Sequence, residues 1–137
     1  MLQNILKLSL FALLLTGCGG PSEYIITGTE RAVGTDGMAT VEMIEGNRMV
    51  TVELEHLPPA SRVSESATVY IVWIKPQGGT PSMAGRLEYD DDERTGTMRA
   101  TTPHANFQLL ITAETDATVT SPSDIVVARQ QVEEEED

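Results

Sequence analysis

The chain has 137 residues, 21 of them acidic and 9 basic, for a formal net charge of −12 at neutral pH. This balance supplies no basic patch of the kind nucleic-acid binding needs, and it sets the folded part against an anionic membrane surface. The single cysteine, Cys18, excludes a disulfide within one chain.

In chain order, Lys7 precedes the apolar run Leu8-Ser9-Leu10-Phe11-Ala12-Leu13-Leu14-Leu15. These eight residues suit the hydrophobic stretch of a secretory signal and fall far short of the about 20 that span a bilayer as a helix. Thr16 and Gly17 are small, as a signal peptidase requires. Leu15-Thr16-Gly17-Cys18 resembles the lipobox of bacterial lipoproteins, which implies that Cys18 heads the mature chain and carries lipid. A thiol is the group that forms the diacylglyceryl thioether, and two or more acyl chains at about 0.8 kcal/mol per buried methylene give stable anchoring. Gly19 stands where an Asp would signal inner-membrane retention in Gram-negative lipoproteins, so the resemblance leans toward the outer membrane. The expected location is the cell envelope, lipid-anchored, and the first expected partner is the membrane itself. Removal of residues 1–17, whose only charge is Lys7, leaves 120 residues and takes the formal charge to −13. That length makes one domain.

The mature chain alternates, with turn residues about every ten positions. Residues 18–23 form the lipidated tether, and Tyr24 to Val33 is a first strand ended by Gly34-Thr35-Asp36-Gly37. Ala39, Val41 and Met43 share one face of the next strand. Gly46-Asn47 suggest a tight hairpin into a third, where Val50, Val52 and Leu54 face in and Thr51, Glu53 and Glu55 face out. Leu57-Pro58-Pro59 stops it, because proline cannot donate to a ladder. A polar loop, Ala60 to Ser66, leads to Ala67–Ile74. Here both faces are apolar, Val69, Ile71 and Trp73 on one and Tyr70, Val72 and Ile74 on the other, which marks a central strand or one covered on its outer face. Leu87 and Tyr89 lie on a further strand, Met98 on its partner across Asp90-Asp91-Asp92-Glu93. Phe107, Leu109 and Ile111 alternate on another, and Ile125 to Ala128 closes the series. The fold class is therefore all-β: an antiparallel β-sandwich of the immunoglobulin-like kind, with about seven or eight strands over residues 24–129, a small barrel being the alternative. Residues 130–137, Gln130 to Asp137, read as an acidic disordered tail.

The stretch Tyr70-Ile71-Val72-Trp73-Ile74-Lys75-Pro76-Gln77-Gly78-Gly79-Thr80-Pro81, followed by Ala84-Gly85 and preceded by Leu57-Pro58-Pro59, resembles the extracytoplasmic domain of anti-sigma-K-type factors. The resemblance covers residues 37 to 128 and implies a β-sandwich with a core Trp and a hairpin turn. A start that reads directly as a signal peptide provides neither the sigma-binding segment nor the transmembrane helix of that family, so the resemblance carries over the sandwich and not the activity.

Chemistry-bearing motifs are sparse. His56 neighbours Glu53 and Glu55, but period two places Glu55 on the opposite face, and His104 falls in the loop Thr101–Ala105. No HxH or HxxxH spacing occurs, and a metal site needs three or four converging ligands. His104, Met83 and Met98 would suit Cu(I), although the six methionines are more simply core filler. Asp90-Asp91-Asp92-Glu93 invites calcium but misses the EF-hand template, with Arg94 where a ligand belongs, and reads as an acidic turn. Gly79-Thr80-Pro81-Ser82 is no G-x-S-x-G, and Gly78-Gly79 lacks the lysine and helix of a phosphate loop. No catalytic residue, metal or cofactor is assigned. With Trp73 pointing into the core, Tyr70, Val72 and Ile74 would form an outer apolar stripe, either covered by the domain's own loops or open to an envelope protein or a second copy. The expected function is a non-catalytic binding or structural module of the cell envelope. A sensory or regulatory accessory domain is the alternative, and a metal carrier or enzyme comes third.

Overall fold

The computed structural model describes residues 20–134. Cys18 and the last three acidic residues lie outside that range.

Among the described residues, nine strands make two antiparallel sheets. β1 (Ser22–Thr27) is followed by a single 3-10 turn (Glu30–Ala32), then β2 (Asp36–Ile44), β3 (Asn47–Glu55), a one-turn helix α1 (Ala60–Val63), β4 (Val69–Pro76), β5 (Ser82–Arg86), β6 (Glu88–Asp90), β7 (Thr95–Thr102), β8 (Phe107–Glu114) and β9 (Val126–Val132). The first sheet runs β1-β2-β3-β7-β6 and the second β5-β4-β8-β9. With β1 set aside, these orders match A-B-E-D against C′-C-F-G of immunoglobulin-type sandwiches. The all-β sandwich expected from the sequence is what the chain forms, with Ser82–Arg86 as an additional strand and Leu87, expected on a strand, between β5 and β6.

Period two explains the core. Val50, Val52 and Leu54 on β3, Ile26 on β1, Ala39 and Val41 on β2, and Met98 on β7 point in from the first sheet. Phe107, Leu109, Ile111 and Ala113 on β8 and Tyr70, Val72 and Ile74 on β4 meet them from the second. Each fully buried aliphatic or aromatic side chain contributes about 1.5–3 kcal/mol. Met43, expected on the same face of β2 as Ala39 and Val41, is 59% exposed, beside the hairpin tip where it pairs with Arg48. That hairpin turns on Glu45 and Gly46, both at positive φ (49° and 84°), one residue earlier than the expected Gly46-Asn47. Positive φ at both central positions gives the turn whose twist matches the flanking strands.

Three boundaries differ from expectation. β1 stops at Thr27, because Gly28 and Thr29 turn away to pair with β9: Gly28 bridges Ala128, and the Thr29 N–H donates to the Val127 carbonyl at 2.8 Å. The polar loop after Pro59 contains the helical turn α1. The last strand does not end at Ala128, and the tail does not begin at Gln130. β9 continues through Gln130 and Gln131 to Val132, which is 1% exposed opposite Phe107. Beyond it the Tyr24 hydroxyl donates to the Glu133 carbonyl at 2.8 Å, and Arg48 pairs with Glu134 at 2.7 Å.

Gly37 sits in β2 between Ile26 and Leu54, where an added Cβ would lie 2.1 Å from the Glu53 carbonyl oxygen. Backbone cannot yield as a side-chain end can. Gly37→Ala is expected to cost about 1–3 kcal/mol, read as a lower urea midpoint at unchanged slope.

Candidate functional site

The strand β4 does not present the face that the sequence suggested. Tyr70, Val72 and Ile74 are 1%, 0% and 5% exposed and belong to the core between the sheets, so the stripe proposed as a partner surface offers no surface at all. Trp73 and Ile71 point the other way, outside the main cluster, yet both are 0% exposed. The β8–β9 connection is tied to this face by a chain of hydrogen bonds. The Trp73 Nε1–H donates to Thr112 Oγ1 at 2.8 Å, the Thr112 hydroxyl donates to the Glu114 carboxylate, and that carboxylate accepts the Ser123 N–H at 2.8 Å. Ser123 Oγ in turn donates to the Ala113 carbonyl. The connection is thus stapled back over the outer face of the second sheet. Leu110 and Met83 flank Trp73, and Thr112 flanks Ile71, from the neighbouring strands.

The crossing from β3 to β4 is where polar groups converge. Three consecutive carbonyls accept hydroxyls from three different elements: His56 from Thr35 at 2.9 Å, Leu57 from Tyr89 at 2.6 Å, Pro58 from Tyr70 at 2.5 Å. The Leu57 N–H donates to the Arg94 carbonyl at 2.9 Å, which ties the crossing to the β6–β7 turn. Tyr70 and Tyr89 meet edge to face with centroids 5.9 Å apart. Burial pushes both phenols above their ordinary range, so they remain donors at physiological pH.

His56 itself has φ 56°. Turning into the left-handed region takes it out of strand alternation and swings its imidazole to the side of its neighbour's carboxylate. Nδ1 lies 2.7 Å from Asp36 Oδ1, and Asp36 is the direct cross-strand partner of Glu55. Donor atoms of Asp36, Glu55 and His56 all lie within 4.8 Å of one another. The hydrogen bond the ring donates to the Asp36 carboxylate, then the charge of Asp36, then that of Glu55 raise the imidazole's pKa above its ordinary value. The group is exposed. Sequence reasoning missed it because strict alternation puts residues 55 and 56 on opposite faces, and no sequence pattern marks a positive φ at a histidine.

The other candidates are not assembled. Met98 points into the core from β7, Met83 lies on the outer face of the second sheet, and His104 sits in the exposed loop between β7 and β8. In the Asp90–Arg94 turn, Asp90 Oδ1 accepts the N–H groups of Asp92 and Glu93, both at 3.0 Å, so that carboxylate is engaged in shaping the turn. Beside the groove of about 550 Å³ that both described ends of the chain line, one of about 500 Å³ is lined by Thr51, Glu53, Arg86, Glu88 and Arg99, and one of about 320 Å³ lies by Tyr70, Tyr89 and α1. None of these is lined by a histidine or cysteine.

Comparison with protein-family models, with curated proteins and with solved structures finds no match to this chain.

Two substitutions check this geometry. Val72→Glu places an unpaired charge between the sheets, a loss of several kcal/mol, and is expected to abolish the cooperative melting transition rather than yield a folded monomer. Glu114→Ala removes the acceptor shared by Thr112 and Ser123, at a cost of about 1–3 kcal/mol, and is expected to speed amide hydrogen exchange at Ser123 well before the core strands.

Proposed function

We propose that this chain is a lipid-anchored module of the bacterial cell envelope that binds or organises partners without catalysis. The observation that supports this reading best is where the chain ends leave the sandwich. Gly20 to Tyr24 and Val132 to Glu134 line one pocket with Val41, Met43 and Arg48, so the first and last described residues lie at the same pole. Ser22 pairs with Val41 at that pole, and β1 runs from there to Thr27, opposite Asp36, at the other. Six residues at about 3.3 Å each make this a span of about 17–20 Å. The far pole carries the loops Gly28–Thr35, His56–Thr68, Asp91–Arg94 and Thr115–Ile125. An anchor at Cys18 then puts the near pole at the membrane and turns those loops outward, an arrangement suited to presentation. Loops on a rigid sandwich are where binding residues are most often carried.

The Tyr70–Gly79 stretch that resembles anti-sigma-K-type domains falls on β4 and the turn after it, where the Gly79 N–H donates to the Pro76 carbonyl at 3.0 Å. This is scaffold, so the resemblance adds no activity to the proposal.

The anchor is tested by Cys18→Ser in living cells. The native protein is expected in the membrane fraction with an acylated N-terminal peptide by mass spectrometry, and the variant in the soluble fraction without acyl mass. A variant just as membrane-bound, with no acyl group on the native chain, overturns the anchor. Presentation is tested by a photo-crosslinking residue at Glu65, at the far pole, against one at Gln77, at the near pole. A discrete adduct from Glu65 alone supports it. Equal diffuse labelling from both removes the idea of a specific partner.

A further inference from the structure

We infer that Asp36, Glu55 and His56 form a binding site for a borderline divalent metal ion, with zinc its representative, at the far pole of the sandwich. The donor set is the first argument. One imidazole nitrogen with two carboxylates suits zinc and its transition-metal neighbours, whereas calcium and magnesium prefer sites built from oxygen alone. Three protein ligands leave a further position for water or for a partner's side chain.

Geometry is the second. Ligand atoms at zinc distances in a tetrahedral site stand about 3.3 Å apart. Nδ1 of His56 and Oδ1 of Asp36 already stand at 2.7 Å, and all three donor groups fall within 4.8 Å. Closing on an ion requires a shift of the Glu55 carboxylate by an ångström or so, which an exposed side chain makes by rotation about its own bonds. The main chain beneath is not free to drift. Asp36 opens β2, Glu55 ends β3 opposite it, and the hydroxyl of Thr35, a residue 1% exposed, fixes the His56 carbonyl at 2.9 Å. This is support of the kind that orients metal ligands.

Charge is the third. Two carboxylates directly opposite each other across a strand pair repel, and among the described residues no lysine or arginine forms an ion pair with either. The proton between Nδ1 and Oδ1 now fills this role in part. A divalent ion would take its place, held by an imidazole nitrogen free of its proton and by the two carboxylates. The acidic turn Asp90–Glu93 lacks the imidazole and is no rival for zinc.

The inference does not depend on the lipid anchor. Full-length protein carrying Cys18→Ser, so that no thiol competes, is titrated with zinc chloride by calorimetry in two non-chelating buffers of different ionisation enthalpy. One equivalent is expected, with proton release seen as a buffer-dependent heat. His56→Ala and Asp36→Asn each should weaken uptake about tenfold or more, while Asp91→Asn with Asp92→Asn leaves it unchanged. Circular dichroism melts without zinc establish that each variant is folded, and added zinc should raise the melting temperature of the parent but not of His56→Ala. The site is overturned by absence of stoichiometric uptake, by uptake that survives His56→Ala, by equal binding of calcium, or by loss in the Asp91/Asp92 variant.

Discussion

Three neighbouring carbonyls, those of His56, Leu57 and Pro58, set the terms for much of this sandwich. A chain that leaves one sheet to enter the other gives up its ladder partners, and Pro58 and Pro59 have no N–H with which to form new ones. A buried carbonyl left without a donor costs about 1–3 kcal/mol. Here each is met by a hydroxyl: Thr35 from the entry to β2, Tyr89 from β6, Tyr70 from β4. Two of these residues belong to the first sheet's side of the molecule and one to the second, so satisfying the crossing also holds the sheets in register. Tyr70 serves twice, its ring filling the core and its hydroxyl reaching out of it. The positive φ of His56, and with it the meeting of the imidazole with Asp36, follows from the same corner, because the Thr35 bond fixes the carbonyl of the residue that turns.

A second demand comes from β4. A strand apolar on both faces must be covered twice, and the opposing sheet can cover only one side. On the other side a polar relay ties the β8–β9 connection to the sheet: the indole N–H donates to Thr112, Thr112 to Glu114, and the Ser123 N–H to Glu114. Each polar group in the relay has a partner, and among the described residues no buried side-chain nitrogen or oxygen lacks one. This is the condition under which a buried carboxylate is tolerated. The result is a second sheet that behaves as a middle layer, with aliphatic packing inward and an indole with its hydrogen-bonded chain outward.

How much of this was legible follows from what kind of signal each feature leaves. Val50, Val52 and Leu54 against Thr51, Glu53 and Glu55 state their faces unambiguously, because one set is apolar and the other is not. Ile71 and Trp73 against Tyr70, Val72 and Ile74 do not, since both sets are apolar. The choice was made by partners far along the chain: Ile111 and Leu109 opposite on the core side, Thr112 and Ser123 on the other. Composition misled at Gln130–Val132, where a polar run hides one apolar residue whose pairing with Phe107 keeps the strand going. A single helical turn such as α1 is too short to show a period. The Asp36–Glu55–His56 group was hidden most completely, because it joins residues 20 positions apart through a backbone conformation that most residues avoid.

Charge and the proposed attachment together would give the molecule a direction. With Cys18 as the anchor, residues 18–21 extend at most about 14 Å before β1 begins, longer than the ~8 Å over which charge is felt at physiological ionic strength. If residues 1–17 are removed as proposed, a chain of formal charge −13 could stand off an anionic surface at little cost while tethered to it. Under the proposed anchoring, the near pole, where both described ends of the chain and the Arg48–Glu134 pair lie, would face the bilayer. A partner would then be met first by the loops of the far pole. The only described histidine among those loops is held between two carboxylates, where a cation would relieve both.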